Sequence, residues 1–250
     1  MSASPPAPAG PRLLVLWDVD HTLIETRGVG RAIYDRAFPA ATSKTLDKLA
    51  AISGRTELDI MAESLRINGI EPTQHAVTTL ADALVHGYED SRDELRTIGR
   101  ALPGAHDTLA HLADDPAIHQ SVLTGNLRQV ARIKLEVFDL DRYLDLGSGA
   151  YGDDNPHRPQ LVAIAQQRAH NRTGVTFSND GTVLVGDTPK DVEAGLTAGV
   201  HVIGVATGKT SAAELRAAGA HDVANNLDEC RNVLDQLARS LRAESRRVGY

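Results

Sequence analysis

Five apolar residues without alternation, Leu13-Leu14-Val15-Leu16-Trp17, run straight into Asp18-Val19-Asp20-His21-Thr22. Unbroken apolarity over one short segment predicts a strand buried on both faces, the situation of a strand inside a parallel sheet. In such a sheet ligands gather at the carboxyl ends of the strands, where the two aspartates fall. Carboxylates two residues apart repel each other, by roughly 4 kcal/mol at a separation of about 4 Å and an effective dielectric of about 20. The pair therefore calls for a cation, a shared proton or a solvated position. A polar strand-to-helix turn with Asp or Thr as the helix cap accounts for the same residues.

Three later segments have the same character: Ser121-Val122-Leu123, Thr182-Val183-Leu184-Val185 and Val202-Ile203-Gly204-Val205. Each follows a helix-like stretch or a turn-rich loop, so strands and helices alternate. Between Glu25 and Thr97 β-branched runs are almost absent and apolar residues recur at helical spacing. Examples are Leu46, Leu49 and Ala50; Leu58, Met61 and Leu65; and Leu80, Leu84 and Val85. The expectation is a helical insertion over 25–97 within an α/β core built from 12–24 and 98–250. The turn at Pro103-Gly104 and a helix from His106 to Ala113 mark re-entry. In the tail, Leu227, Leu234, Leu237 and Leu241 predict an amphipathic helix, with Arg242, Arg246 and Arg247 complementing its dipole.

Two further loops follow apolar strands. Leu123-Thr124-Gly125-Asn126 offers a hydroxyl and backbone N–H groups of the kind that bind phosphate, although an ordinary N-cap also fits. Val185-Gly186-Asp187-Thr188-Pro189-Lys190-Asp191 places Asp187 at a strand end and Pro189 in the first turn of a helix. Asp191 follows four residues on, close to one helical turn, so both carboxylates can face one cleft; capping accounts for each of them singly. Capping does not account for three such loops, all at the ends of buried strands.

A net charge of −7, with no basic block ahead of the tail, argues against a nucleic-acid partner. It still admits an anionic small molecule if a metal and a few basic groups are focused in one cleft. The single cysteine, Cys230, fits a reducing cytoplasm. Residues 1–11, rich in Pro, Ala and Gly, read as a disordered lead rather than a signal peptide. No run approaches the ~20 apolar residues of a membrane span, so a soluble, cytoplasmic protein without a membrane partner is expected.

With these motifs in this order, the chain resembles the haloacid dehalogenase superfamily of phosphohydrolases from Leu13 to about Leu227. The resemblance rests on the motif order, the helical insertion directly after the first motif, and the GDTPKD loop with AGVHVIGVATG behind it. Within the superfamily the chain looks like the phosphoglycolate phosphatase-like and β-phosphoglucomutase-like branch. The resemblance implies a Rossmann-like parallel-sheet core with a small helical cap inserted after the first strand. It also implies a Mg2+-dependent phosphatase acting on a small phosphorylated metabolite through an aspartyl-phosphate. Asp18 matches the family nucleophile, and Asp20 matches the acid that protonates the leaving alkoxide and then activates water. Magnesium would be held by the Asp18 carboxylate, the Asp20 backbone carbonyl and Asp187. Thr124 and the N–H groups of Gly125 and Asn126 would bind the phosphoryl oxygens, with Thr22 and Asp191 in support.

The chain departs from the family at its usual lysine before the last motif. The matching segment, Asp153 to Pro159, has none. Arg158 is the candidate for that role, with Asp191 as its partner, and Lys190 is a fallback that the helix points elsewhere. A surface pair between Arg158 and Asp153 or Asp154 is the alternative. Ser53-Gly54-Arg55-Thr56 looks like the specificity loop of the cap. There Arg55 would reach a substrate carboxylate or second phosphate, and a solvated arginine at a helix start fits equally. His21 stands where the family commonly has glycine. Gly204 to Thr210 is similar to a P-loop, but its glycines are one residue too close. Asp20 argues against a dehalogenase, and arginine at 55 against a phosphonate-cleaving Schiff base, although Lys44 and Lys48 lie in the insertion. A phosphomutase and a non-catalytic phosphate-binding module remain as alternatives.

Overall fold

The computed structural model describes residues 13–52 and 54–248, with side chains through 243. The expected disordered lead, Ser53 and the side chains of Arg246 and Arg247 lie outside the described residues.

From β1 (Leu13–Trp17) the chain enters a two-residue strand, β2 (Ile24–Glu25), and then four helices. These are α1 (Val29–Thr42), α2 (Glu57–Ile67), α3 (Gln74–Asp90) and α4 (Arg92–Ile98). A second short strand, β3 (Arg100–Ala101), pairs antiparallel with β2, so one small ribbon carries the chain out to the helices and back. The remainder alternates: α5 (Ala105–Ala113), β4 (Ile118–Val122), α6 (Arg128–Val137), a 3-10 turn at Asp141–Tyr143, α7 (Arg158–Thr173) and β5 (Thr182–Gly186). Then come α8 (Pro189–Ala198), β6 (His201–Val205), α9 (Ala212–Ala217), β7 (Asp222–Ala224) and α10 (Leu227–Val248).

The sheet is parallel, in the order β4-β1-β5-β6-β7. Leu13 to Trp17 lie opposite Ile118 to Val122 on one side, and Leu14 to Trp17 lie opposite Thr182 to Val185 on the other. β1 reads as an unbroken apolar run because helices cover both faces. Leu13, Val15 and Trp17 join a core shared with α5, α6, α10 and the inserted helices. Leu14 and Leu16 pack with Leu161, Val162 and Ala165 of α7. Burying five such side chains is worth about 10 kcal/mol in all. Because β1 is flanked by β4 and β5, the loops bearing Asp18, Thr124 and Asp187 leave three adjacent strands at one edge.

Two expectations require correction. The apolar spacing of Leu46, Leu49 and Ala50 suggested helix, but residues 45–52 contain none. Side chains of α2 and the residue after it take up the backbone instead. Asn68 accepts from the N–H groups of Asp47 and Lys48 and donates to the Lys48 carbonyl, and Ser64 accepts from Ala50. Strand β4 begins three residues before the expected segment Ser121-Val122-Leu123, and two of its buried residues, Gln120 and Ser121, are polar. Gln120 accepts from the Trp17 indole and donates to the Leu109 carbonyl, while Ser121 donates to the Asp145 carbonyl. In the tail, Leu227, Cys230, Leu234 and Ala238 are buried, and Arg242 pairs with Asp115.

Candidate active site

The loops after β1, β4 and β5 converge. Asp18 is buried, and its Oδ1 accepts from Arg158 Nη2 at 2.9 Å. The same nitrogen also donates to Asp191, and Asp153 and Asp154 do not pair with this guanidinium. Asp191 is fixed from its other side by Thr188, whose N–H and hydroxyl both donate to Oδ2, at 3.0 and 2.6 Å. That capping box opens α8, so one carboxylate both caps the helix and anchors the arginine.

Oxygens of Asp18, Asp187 and Asp191 lie within 4.8 Å of one another, all three residues buried. One guanidinium faces three acids. Burial, reinforced by Asp191 and opposed by Arg158, pushes the Asp18 pKa up to about 7. Burial, with Asp18 and Asp191 beside it, pushes Asp187 up to about 8. Asp187 makes no ion pair among the described residues, and its side-chain partner is the Thr22 hydroxyl at 3.4 Å. The glycine of the P-loop-like segment has a packing role here. A Cβ on Gly208 would lie 1.9 Å from Asp187 Oδ2, so only glycine lets this loop pass beside the acid. Thr207 of the same loop donates to the His21 carbonyl at 2.7 Å. His21 itself holds φ 61, the left-handed region where glycine is at ease.

Asp20 is turned to a different partner. Lys134 Nζ on α6 donates to its two oxygens at 2.9 and 2.7 Å, and Asn126 Nδ2 donates to it at 2.8 Å. Lys134 also donates to Asn126 Oδ1 at 2.7 Å, and Asn126 donates to Thr124 Oγ1 at 2.8 Å. Burial disfavours the Asp20 charge, but Lys134 and Asn126 override it and hold the pKa below the usual carboxylate range. The inserted helices complete the enclosure. The Tyr88 ring lies 5.2 Å from Lys134 Nζ, and Tyr34 donates to Glu57. The Glu57 N–H donates to the Gly125 carbonyl at 2.7 Å, tying the insertion to the phosphate-type loop.

Arg55 stands apart. Its guanidinium binds Asp59 at 2.6 Å and the Ala51 carbonyl at 3.3 Å, and only its backbone carbonyl meets Gly125. With Thr56, Arg158 and Lys190 it lines a cavity of about 220 Å3 at the seam between insertion and core. Lys190 is engaged by Glu193 at 2.7 Å. A cavity of about 300 Å3 bordered by Asn179, His201 and His221 lies at the opposite edge, beside the start of β6, away from the converging loops.

Sequence reasoning missed Lys134, Glu57, Tyr34 and Tyr88. Lys134 had a readable signal. It shares the face of α6 formed by Val130, Ala131 and Val137, and a charged residue on a buried face demands a counter-charge. The tyrosines and Glu57 carried no such mark.

A parallel sheet with buried acids gathered at its carboxyl edge and a helical insertion after the first strand defines a Rossmann-like α/β architecture. The family model for haloacid dehalogenase-like hydrolases matches residues 15–205, and the chain belongs to that family. Among solved structures it is similar to a predicted phosphatase from Clostridium acetobutylicum, with 20% identity and a TM-score of 0.67 over 91% of this chain and 100% of that one. A hydrolase from Pseudomonas syringae matches with 21% identity and a TM-score of 0.64, over 90% and 98% of the two chains. A predicted phosphoglycolate phosphatase from Haemophilus somnus matches with 16% identity and a TM-score of 0.62, again over 90% and 98%. At these identities the likeness is one of fold. No curated protein matches the chain.

Proposed function

We propose that the chain is a magnesium-dependent phosphatase that hydrolyses the phosphate monoester of a small metabolite through a phospho-intermediate on Asp18. One observation carries the reading: a buried carboxylate with one oxygen on a guanidinium, inside a cluster of three acids that spans 4.8 Å. A pure binding module has no use for so much unbalanced negative charge where an anion must sit.

The steps follow from the side chains. The Asp18 oxygen not held by Arg158 attacks phosphorus, and the ester P–O bond breaks. Asp20, ionised beside Lys134, would take up a proton brought in by the phosphate ester monoanion and give it to the leaving alkoxide, then take one from the water that cleaves the aspartyl-phosphate and frees Asp18 and phosphate. Thr124 with the Gly125 and Asn126 N–H groups would cradle the phosphoryl oxygens. Arg158 would neutralise them, and the Nε of this side chain is buried without a partner. Hard, all-oxygen donors with excess negative charge suit magnesium, which Asp18, the Asp20 backbone carbonyl and Asp187 would hold beside Asp191. When bound, the ion would supply charge neutralisation at the phosphoryl group. Residues 25–97 would act as a cap, closing the site through the Glu57–Gly125 bond and excluding water. The substrate would be compact, in keeping with the small cavity at the seam, where Arg55 would face the leaving group once freed from Asp59.

The test is phosphate release from p-nitrophenyl phosphate with and without magnesium, beside Asp18→Asn. Magnesium-dependent release that the substitution abolishes is expected. Release that survives Asp18→Asn would overturn the proposed nucleophile.

A further inference from the structure

Lys134 is the most deeply buried cation near the site, with a side chain 5% exposed, and the steps above make no use of it. Its ammonium donates to both oxygens of Asp20 and to Asn126, which satisfies its three donors. The groups around it come from both halves of the molecule. Asp20 and Asn126 are on core loops and Lys134 on α6, while Tyr88 of α3 stacks over the ammonium, and Glu57 of α2 contributes to its electrostatic environment. Asp20, by contrast, keeps 35% of its side chain exposed, so the carboxylate is gripped from behind and open in front.

An aspartate two residues from a nucleophile has several rotamers, and only one can present an oxygen to a leaving group. A donor that spans both carboxylate oxygens fixes the plane of the group as well as its position, which a single hydrogen bond does not. We propose that Lys134 is the positioning residue for Asp20. It clamps the carboxylate in the orientation that serves proton transfer, and the cap's Tyr88 seats it when the cap is closed. The inference rests on the phosphatase reading, in which Asp20 is the acid.

The experiment compares kcat/KM for phenyl phosphate and p-nitrophenyl phosphate in magnesium-supplied enzyme. This parameter reports steps through phosphoryl transfer and leaves out the later hydrolysis. Phenolate is the poorer leaving group and needs the proton, whereas p-nitrophenolate departs without it. General acid catalysis is worth about 10²–10⁴-fold. Lys134→Met should therefore lower kcat/KM by about 10²-fold on phenyl phosphate and by less than about tenfold on p-nitrophenyl phosphate. Lys134→Met leaves Asp20 without its ion-pair partner, so the decisive comparison uses Asp20→Asn against the doubly neutral Asp20→Asn/Lys134→Met. If Lys134 acts through Asp20, the double variant is no slower than Asp20→Asn alone. A further loss of tenfold or more in the double variant, or equal losses on the two esters in Lys134→Met, would overturn the inference. Wild-type enzyme that releases phosphate from neither ester would instead refute the phosphatase reading beneath it.

Discussion

Replacing Asp18, the proposed nucleophile, should make the metal-free protein more stable. Asp18 lies within 4.8 Å of oxygens on both Asp187 and Asp191. Above about pH 8, where Asp187 is ionised as well, each such pair repels by about 3.5 kcal/mol at an effective dielectric of about 20, or roughly 7 kcal/mol for the two. On the same scale the Arg158 contact at 2.9 Å offsets roughly 6 kcal/mol. The charges alone thus leave the ionised Asp18 about 1 kcal/mol unfavourable, and burial of the carboxylate adds to that. Asp18→Asn removes the charge yet keeps an oxygen for Arg158 to donate to, so a gain of about 1–3 kcal/mol is expected in chelator. For a chain of this size that is a rise of about 3–9 °C in Tm. The pH dependence fixes the sign. With a folded pKa near 7 against an ordinary 3.8, wild type binds more protons folded than unfolded in that interval. It therefore loses stability as pH rises through the interval, and the advantage of Asp18→Asn should grow from about pH 4 to about pH 8, as Asp18 and then Asp187 ionise, and level off above. Magnesium should shrink or reverse the advantage by binding the native wild type in preference. Thermal or urea unfolding in EDTA, repeated across pH and with magnesium, measures all of this. An Asp18→Asn protein that is less stable than wild type in EDTA at mildly alkaline pH would refute the charge argument.

Two further outcomes are specific to this chain. Arg158 makes both of its acid contacts through Nη2 alone and leaves Nε without a partner, so it acts as a point charge rather than a fork. Arg158→Lys should then keep kcat/KM for p-nitrophenyl phosphate within about tenfold, whereas Arg158→Ala should lose 10²-fold or more and destabilise the fold by about 3–5 kcal/mol, as seen when a buried pair is broken. Gly125→Ala would put a Cβ 2.2 Å from the Arg55 carbonyl, a backbone atom that can withdraw only if the loop of the insertion lifts. If the insertion closes over substrate as proposed, steady-state kinetics should show KM raised by about tenfold or more, and Tm should change little.

The sheet was legible because its determinants are local. Five apolar residues in a row need helices on both faces, and each of the three motif loops could be placed at a strand end from its own few residues. Local spacing misled at Leu46, Leu49 and Ala50, where the backbone donors of an extended segment are taken up by Asn68 and Ser64 across a turn that periodicity does not register. It also cut β4 short, since Gln120 reads as a surface residue until the Trp17 indole supplies its partner. The site divides the same way. Asp18, Asp20, Thr124 and Asp187 could be singled out by their place at strand ends, but the grip on Asp20 comes from Lys134, 114 positions away on α6.

That separation has a physical meaning for the chemistry. A carboxylate that must hand over a proton has to be oriented without being sealed. Groups adjacent in sequence to Asp20 are fixed by the strand end itself and cannot do this independently of Asp18. A cation on a separate helix can, and seating it under Tyr88 makes the orientation of the acid depend on whether the helical insertion is in place. Lys134 therefore shows in the sequence only as a charge on the buried face of α6, outside every motif. Asp18 is held by Arg158 of α7, within the core, whereas Asp20 answers through Lys134 to both the core and the inserted helices.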